Sequence, residues 1–484
     1  MVFNSITFLL FFISFFLLYW FLGNKNVKFQ NIILLLGSYI FYGWADWKFL
    51  FLIIGISALN YYLGIFIEKT SNQKRRQSLL YIGLIQGIGG LVFFKYFNFF
   101  ITSFNDSFKL LNINCNLQTL NIIVPLGISF FTFRTISYLL DIDKGKIEAS
   151  KDWVVFFNYI SFFPSVLSGP IDKAKAFIPQ LKKKRIYEYD KFVDALRQIL
   201  WGLFKKVVIA DNCASITDTV FANYQTLPAS SLLLGAFLYT IQIYADFSGY
   251  SDMAIGISRL LGFEITMNFN YPFFSQNIAE FWRKWHISLT VWLTEYVFTP
   301  LSITFRDYDK LGLIFAILIN FTIIGIWHGA NWTYVLFGFL HGCYFIPLII
   351  NGTMNKKKKI AKDKLLPTFK EFTNISKTFI LVMLTFIIFK SNTIYQAFNY
   401  YGCLFSKSLF SIPDLGKNSM ATIITIFFII IMIVLEWIAR ENKFALEKLF
   451  FSKHRIIRLA FYYILILLII SYSGTEQKFI YFQF

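Results

Sequence analysis

Apolar runs about as long as a bilayer is thick recur along the chain, separated by short polar stretches. A spanning helix needs ~20 mostly apolar residues. Early in the chain such stretches lie at about 5–23, 29–45, 48–67, 79–101 and 119–140, and later at 311–327, 332–350, 375–390, 419–438 and 456–472. The apolar run 153–166 carries Pro164, with Ser168, Gly169 and Pro170 just beyond, and these break a helix. It is expected to dip into the membrane and return, which makes 162–170 (FFPSVLSGP) a candidate site wall, because non-helical backbone survives at membrane depth only inside protein or beside a wet cavity. Residues 194–214 hold Lys205 and Lys206 in otherwise apolar sequence and either cross with those ammonium groups snorkelling to the interface, the preferred reading, or lie along the interface. Residues 231–247 return, and 249–310 follow with polar, aromatic and basic residues and no clean span. The pattern predicts an all-α polytopic integral membrane protein, one membrane domain over 1–484, with about eleven or twelve transmembrane helices plus re-entrant segments.

Charge adds orientation. The 46 Lys and Arg against 27 Asp and Glu leave +19, yet only 15% of the 484 residues are charged and 56% are hydrophobic. Disordered and fibrous chains are excluded, and 61 Phe among 20% aromatics far exceed the needs of a soluble core. The cations lie in short runs between apolar segments and not on one continuous face, so they set topology and do not suggest a nucleic-acid partner. Loops 68–76, 141–151, 173–185, 356–364 and 440–458 are expected inside, with 103–116 and the first residues outside. The first apolar run lacks a basic start and a cleavage site, so it is expected to be retained. Cys115, Cys213, Cys343 and Cys403 form no CxxC pair and are expected to be small buried hydrophobes; no metal site is expected.

Only four histidines occur, His286, His328, His341 and His454. An imidazole titrates near working pH and can take a proton from a hydroxyl, so one at membrane depth is a functional candidate. A helix beginning near Leu311 carries His328, in GIWHGANW, about 25 Å along its axis, where Gly325, Gly329 and Ala330 permit close approach and Trp327 and Trp332 exclude water. A structural His in a tight turn is the plain alternative. His286 lies in FWRKWHISLTVWLTEY, where Trp282, Trp285, Leu289 and Trp292 recur at helical spacing. Arg283 and Lys284 on the other side either grip phosphates of a nucleotide-like ligand or anchor the cytoplasmic face. Asp246 with Tyr250, and Ser248 with Asp252, fall on adjacent turns if their segment is helical, as a polar network or as catalytic groups. His341, in FGFLHG, reads as a hydrogen-bonded interior His and His454 as a solvated one.

Neither GxSxG, GxxxxGK nor HExxH occurs, and no His is followed five positions later by Asp. Hydrolase, pump-ATPase and zincin readings fall away, leaving a transporter or a transferase working across the bilayer. A transporter predicts two related halves, and no convincing internal repeat is present.

Six stretches resemble the membrane-bound O-acyltransferase family, and within it the alginate O-acetylation branch with its peptidoglycan and D-alanyl-transfer relatives. They are 124–133 (VPLGISFFTF), 162–171 (FFPSVLSGPI), 244–263 (YADFSGYSDMAIGISRLLGF), 268–301 (NFNYPFFSQNIAEFWRKWHISLTVWLTEYVFTPL), 327–332 (WHGANW) and 479–484 (FIYFQF), with the core motifs at about 120–350. The resemblance implies a ring of helices around a thin partition, with His328 as the catalytic residue and His286 as its polar companion. It implies acyl transfer from acetyl-CoA, a substrate and not a resident cofactor, whose phosphates would meet Arg283 and Lys284 beside Trp285. Asp246, Tyr250, Asn331 and His341 are then tunnel-lining or structural polar residues. The acceptor implied is a hydroxyl of an extracytoplasmic polysaccharide, reached directly or through an SGNH-type partner, with the chain in the cytoplasmic membrane and the lipid bilayer as its solvent. D-Alanyl transfer from a carrier protein is the alternative within the family.

Overall fold

Helices begin where short polar side chains satisfy their first free N–H groups. Ser5 accepts from Phe8 N to open Ile6–Leu17, and Asn26 from Phe29 N to open Val27–Gly43. Asn72 opens Gln73–Leu91, and Thr368 with Glu371 forms a reciprocal cap on Phe369–Lys390. The computed structural model describes residues 1–484 except 114–115, 357–358, 363, 415–418, 450–453, 474–476, 478 and 481–484. Cys115 and the last four residues of the FIYFQF ending therefore lie outside the described residues.

The described secondary structure is helical throughout, with no strand among those residues. Seven helices are long and apolar enough to cross a membrane: Lys48–Lys69, Gln73–Leu110, Arg306–His328, Trp332–Ile350, Phe369–Lys390, Ser419–Ile438 and Arg455–Tyr472. Other expected crossings take shorter or broken forms. Ile6–Leu22 and Val27–Gly43 are each 17 residues, and only Ile128–Asp143 of the stretch 119–140 is helical. The stretch 231–247 belongs to a longer helix, Ala229–Leu260.

By its internal contacts the chain forms two compact units, Met1–Ala195 with Ala254–Thr266, and Leu196–Met253 with Met267–Phe484. In the first, Ile128–Asp143 is buried along nearly its whole length. Neighbouring helices approach it at small residues: a Cβ on Gly83 would lie 2.2 Å from Leu139, and one on Gly64 2.7 Å from Tyr138. The expected re-entrant segment is two short buried helices, Trp153–Ser161 and Phe163–Val166, with Pro164 at the start of the second. Buried Arg134 holds it, donating to Tyr159 O (3.1 Å), Ile160 O (3.2 Å), Ser165 Oγ (2.5 Å) and Pro170 O (3.4 Å). A guanidinium suits this role because its five donors satisfy carbonyls that no helix ladder uses.

In the second unit Asp309–His328 and Trp332–Cys343 pack through glycines, since a Cβ on Gly338 would lie 2.2 Å from Phe321 O and one on Gly325 2.1 Å from Tyr334 O. Lys205 and Lys206 do not snorkel, contrary to expectation. Both are buried in the π-helical stretch Phe204–Ala210. Lys205 Nζ meets Asp252 Oδ2 at 2.6 Å and donates to Ser248 Oγ at 2.9 Å, and Lys206 Nζ meets Asp211 at 2.7 Å and Asp246 at 2.9 Å. Carboxylates brought in from other turns remove the reason to reach water. Asp246 and Asp252, each expected to sit one turn from a polar neighbour as a network or as catalytic groups, form ion pairs with these lysines, and Lys205 bridges Ser248 to Asp252.

Candidate functional site

His328 is the last residue of its helix, which puts the imidazole at the end of twenty helical residues, and it is only 4% exposed. Gly329 leaves the helix extended, and Asn331 caps the next one by accepting from Thr333 N at 3.0 Å. Asn331 Nδ2 donates to Asn392 O at 2.8 Å, so this residue fastens the turn. Around the His328 ring stand Trp327 (4.9 Å between centroids), Phe389 (5.1 Å) and Phe337 (5.9 Å), an apolar wall on several sides.

His286 sits at a break. The expected unbroken helix through 282–292 is instead two, Ile278–Lys284 and Ile287–Leu293, with Trp285 extended and His286 left-handed at φ 44°. A non-glycine residue there is held against its preference. Asn268 is what holds it: Ile287 N donates to Asn268 O (2.9 Å), Ser288 Oγ to Asn268 Oδ1 (2.6 Å), and Asn268 Nδ2 to Ser251 Oγ (3.3 Å). The turn aims the His286 ring inward, fully buried, edge-on to Phe247 at 4.7 Å and to Trp327 at 5.4 Å. Trp327 therefore touches both histidines. Burial pushes the His286 imidazole down to about 3, so it stays neutral across working pH.

His341 is also enclosed, its Nδ1 accepting from Trp282 Nε1 at 3.1 Å. Phe337 lies between it and His328, with its ring 4.5 Å from His341. Asp246 accepts from Ile480 N at 2.8 Å besides pairing with Lys206, and Tyr250 stacks on Phe479 at 4.7 Å. These two hold the described end of the chain against the helix whose Phe247 borders His286.

Arg283 and Lys284 line a cavity of about 650 Å³ together with Glu280, Lys359, Ile360, Arg440 and Glu441. Four cations face two carboxylates there, and Lys284 is already tied to Glu280 at 2.7 Å. Trp285 points elsewhere: it is buried among Phe269, Phe281 and Phe386 and does not line the cavity. Reading the sequence missed Lys359 and Arg440, which stood among cations assigned to topology, and Asn268, whose role appears only once the break at His286 is seen. Among the described residues no group of three or more His, Cys, Asp or Glu is placed to hold a metal ion.

The arrangement can enclose a reacting centre beside a neutral imidazole, away from water, and hold an anionic group at a separate basic cavity of the same unit. Residues 150–389 match the membrane-bound O-acyltransferase family. The chain is 35% identical over 425 residues to the probable alginate O-acetylase AlgI of Pseudomonas aeruginosa, covering 87% of this chain and 78% of that protein. It is 36% identical over 344 residues to the peptidoglycan O-acetyltransferase of Helicobacter pylori (66% and 64% covered) and 32% identical over 295 residues to the teichoic acid D-alanyltransferase of Streptococcus thermophilus (54% and 68%). With the buried His328 at the end of a spanning-length helix and this likeness along most of its length, the chain belongs to the membrane-bound O-acyltransferase family and is a multi-pass membrane O-acyltransferase.

Proposed function

We propose that the protein moves an acetyl group from cytosolic acetyl-CoA to a hydroxyl of an extracytoplasmic polysaccharide, directly or through an SGNH-type partner, in the cytoplasmic membrane. The observation that carries this reading is the enclosed pair His328 and His286, joined through Trp327, in the same unit as a cavity lined by Arg283, Lys284, Lys359 and Arg440. The names of the alginate and peptidoglycan relatives support a glycan hydroxyl as acceptor.

In this reading the donor's phosphates rest at the cavity, where guanidinium and ammonium groups match their charge. His328 takes the proton of the incoming hydroxyl as its oxygen attacks the thioester carbonyl. The C–S bond then breaks, and the proton passes from His328 to the departing sulfur. General-base assistance of this kind is worth about 10² to 10⁴ in rate. His286 stays neutral and orients the enclosed aromatic wall through Trp327.

The test is release of radiolabelled acetyl from acetyl-CoA by the purified protein in nanodiscs, wild type beside His328→Ala, with and without glycan acceptors. Release that falls by about 10² or more in a folded His328→Ala protein is expected. Full turnover in that variant would exclude His328 as the base. Likeness to a teichoic acid D-alanyltransferase favours a second reading, D-alanyl transfer from a carrier protein, which a wild-type protein inert toward acetyl-CoA but active with an acyl-carrier thioester would establish.

A further inference from the structure

His341 is a buried titratable group that the chemistry above leaves unused. Trp282 Nε1 can only donate, so its 3.1 Å bond to His341 Nδ1 puts a lone pair on that nitrogen and the ring proton on Nε2. His341 is fully buried, and its Nε2 has no hydrogen-bond partner among the described residues. A buried N–H without an acceptor is disfavoured strongly enough that native interiors rarely keep one unless a ligand or water completes it.

The position of that N–H narrows what the ligand is. A Cβ on Gly338 would touch Phe321 O and one on Gly342 would lie 3.2 Å from Leu318 Cα, so His341 sits level with residues 318–321 of the neighbouring helix. That is about 10 to 15 Å along the axis from His328, toward the start of that helix. Trp282, which fixes the His341 tautomer, also meets Phe321 at 5.0 Å and directly precedes Arg283 of the cation-lined cavity. Arg283, Trp282, His341, Phe337 and His328 thus form one contiguous series, running from the cavity to the end of the helix. With the donor's phosphates at the cavity and its acyl carbon beside His328, as the proposed function has them, His341 lies between the two ends.

We propose that His341 Nε2–H is a substrate-contacting donor that hydrogen-bonds a carbonyl oxygen of the acyl donor, held in the donating tautomer by Trp282. The inference rests on acyl-CoA as donor, with the phosphates at the cavity. The acceptor atom is either the thioester carbonyl or an amide carbonyl of the arm that carries it. Both are neutral oxygens with lone pairs to offer, and no proton changes hands at His341.

Two conservative variants separate this role from a structural one. His341→Asn keeps an acceptor for Trp282 at the Nδ1 position and lacks the outer N–H, whereas His341→Gln places an N–H where Nε2 stood and gives up the Trp282 bond. The full-length protein in nanodiscs is assayed with radiolabelled acetyl-CoA, with monodisperse elution as the check on folding. Expected are a loss of about 10- to 100-fold in kcat/KM for His341→Asn and His341→Phe and a value within about threefold of wild type for His341→Gln. A loss confined to kcat assigns the thioester carbonyl, and a loss in donor affinity assigns the arm. If His341→Asn behaves as wild type while His341→Gln fails, or if all three variants match wild type, the proposal is overturned. A wild-type protein inert toward acetyl-CoA overturns the donor assignment instead, and the same variants are then compared with an acyl-carrier thioester.

Discussion

His286 is enclosed by aromatic rings on a left-handed turn, and its neutrality has a consequence for stability. The folded imidazole titrates at about 3, below the ordinary 6.5. Between those values the unfolded chain binds a proton that the folded chain does not, so stability falls as pH drops below 6.5, by up to about 1.4 kcal/mol per unit. The apparent melting temperature in detergent is therefore expected to decline from pH 7.5 to pH 5, and His286→Asn is expected to flatten part of that decline. A variant with a slope equal to wild type would assign the loss to other groups. Asn268 shows the same dependence on neighbours, because its buried amide oxygen accepts from both the backbone N and the hydroxyl of Ser288, just past the turn that aims His286, while its Nδ2 donates to Ser251 Oγ.

Helices in this protein meet at residues that have no side chain to spare. Replacing Gly by Ala inside a helix ordinarily gains about 0.5–1 kcal/mol. Gly338 reverses that sign, since its Cβ would press to 2.2 Å from Phe321 O and force the His328 helix away. Gly338→Ala should lower stability by about 1–3 kcal/mol, and activity with it. Gly55, in Lys48–Lys69 with nothing within 4 Å of its would-be Cβ, should accept Ala without loss. Thermal unfolding of the two variants side by side checks the contrast. The π-helical stretch Phe204–Ala210 depends on charge instead. Lys206→Met would strip the ammonium from between Asp211 and Asp246 and leave two buried carboxylates, a loss of about 3–5 kcal/mol. Poor recovery of monodisperse protein is the expected result, and Lys206→Met with Asp246→Asn should recover part of it.

At the scale of the whole molecule, length and apolarity of the helices dictate a membrane home, and the +19 charge gathers in loops and at one cavity. Arg283 and Lys359 together are expected to dominate donor binding, because Lys284 is engaged by Glu280 and Arg440 by the carbonyls of Trp437, Ala361 and Lys364, whereas among the described residues Arg283 spends only one N–H, on Met354 O. Arg283→Ala with Lys359→Ala should weaken the binding of CoA by about tenfold or more, measured calorimetrically. Wild-type affinity should fall as salt is raised, as expected of a partly exposed phosphate site. Affinity unchanged by both substitutions would remove the cavity as the phosphate site.

The sequence by itself determined the helical class, the membrane setting, the helix break at Pro164 and the identity of the buried histidines, because each depends on local properties: run length, helix breakers and the rarity of ionisable groups in apolar sequence. WHGANW announced His328 through its setting of glycines and tryptophans. Tertiary structure alone decided which groups meet. Lys205 and Lys206 looked like snorkelling residues until Asp211, Asp246 and Asp252 came within 3 Å of them from other turns. The periodic tryptophans around 282–292 suggested one helix, and only the distant Asn268 explains the break that turns His286 inward. The Trp282–His341 bond joins residues 59 positions apart. Periodicity records which face of an element is apolar, but pairing between polar groups is a property of distance, and distances across the chain exist only after folding.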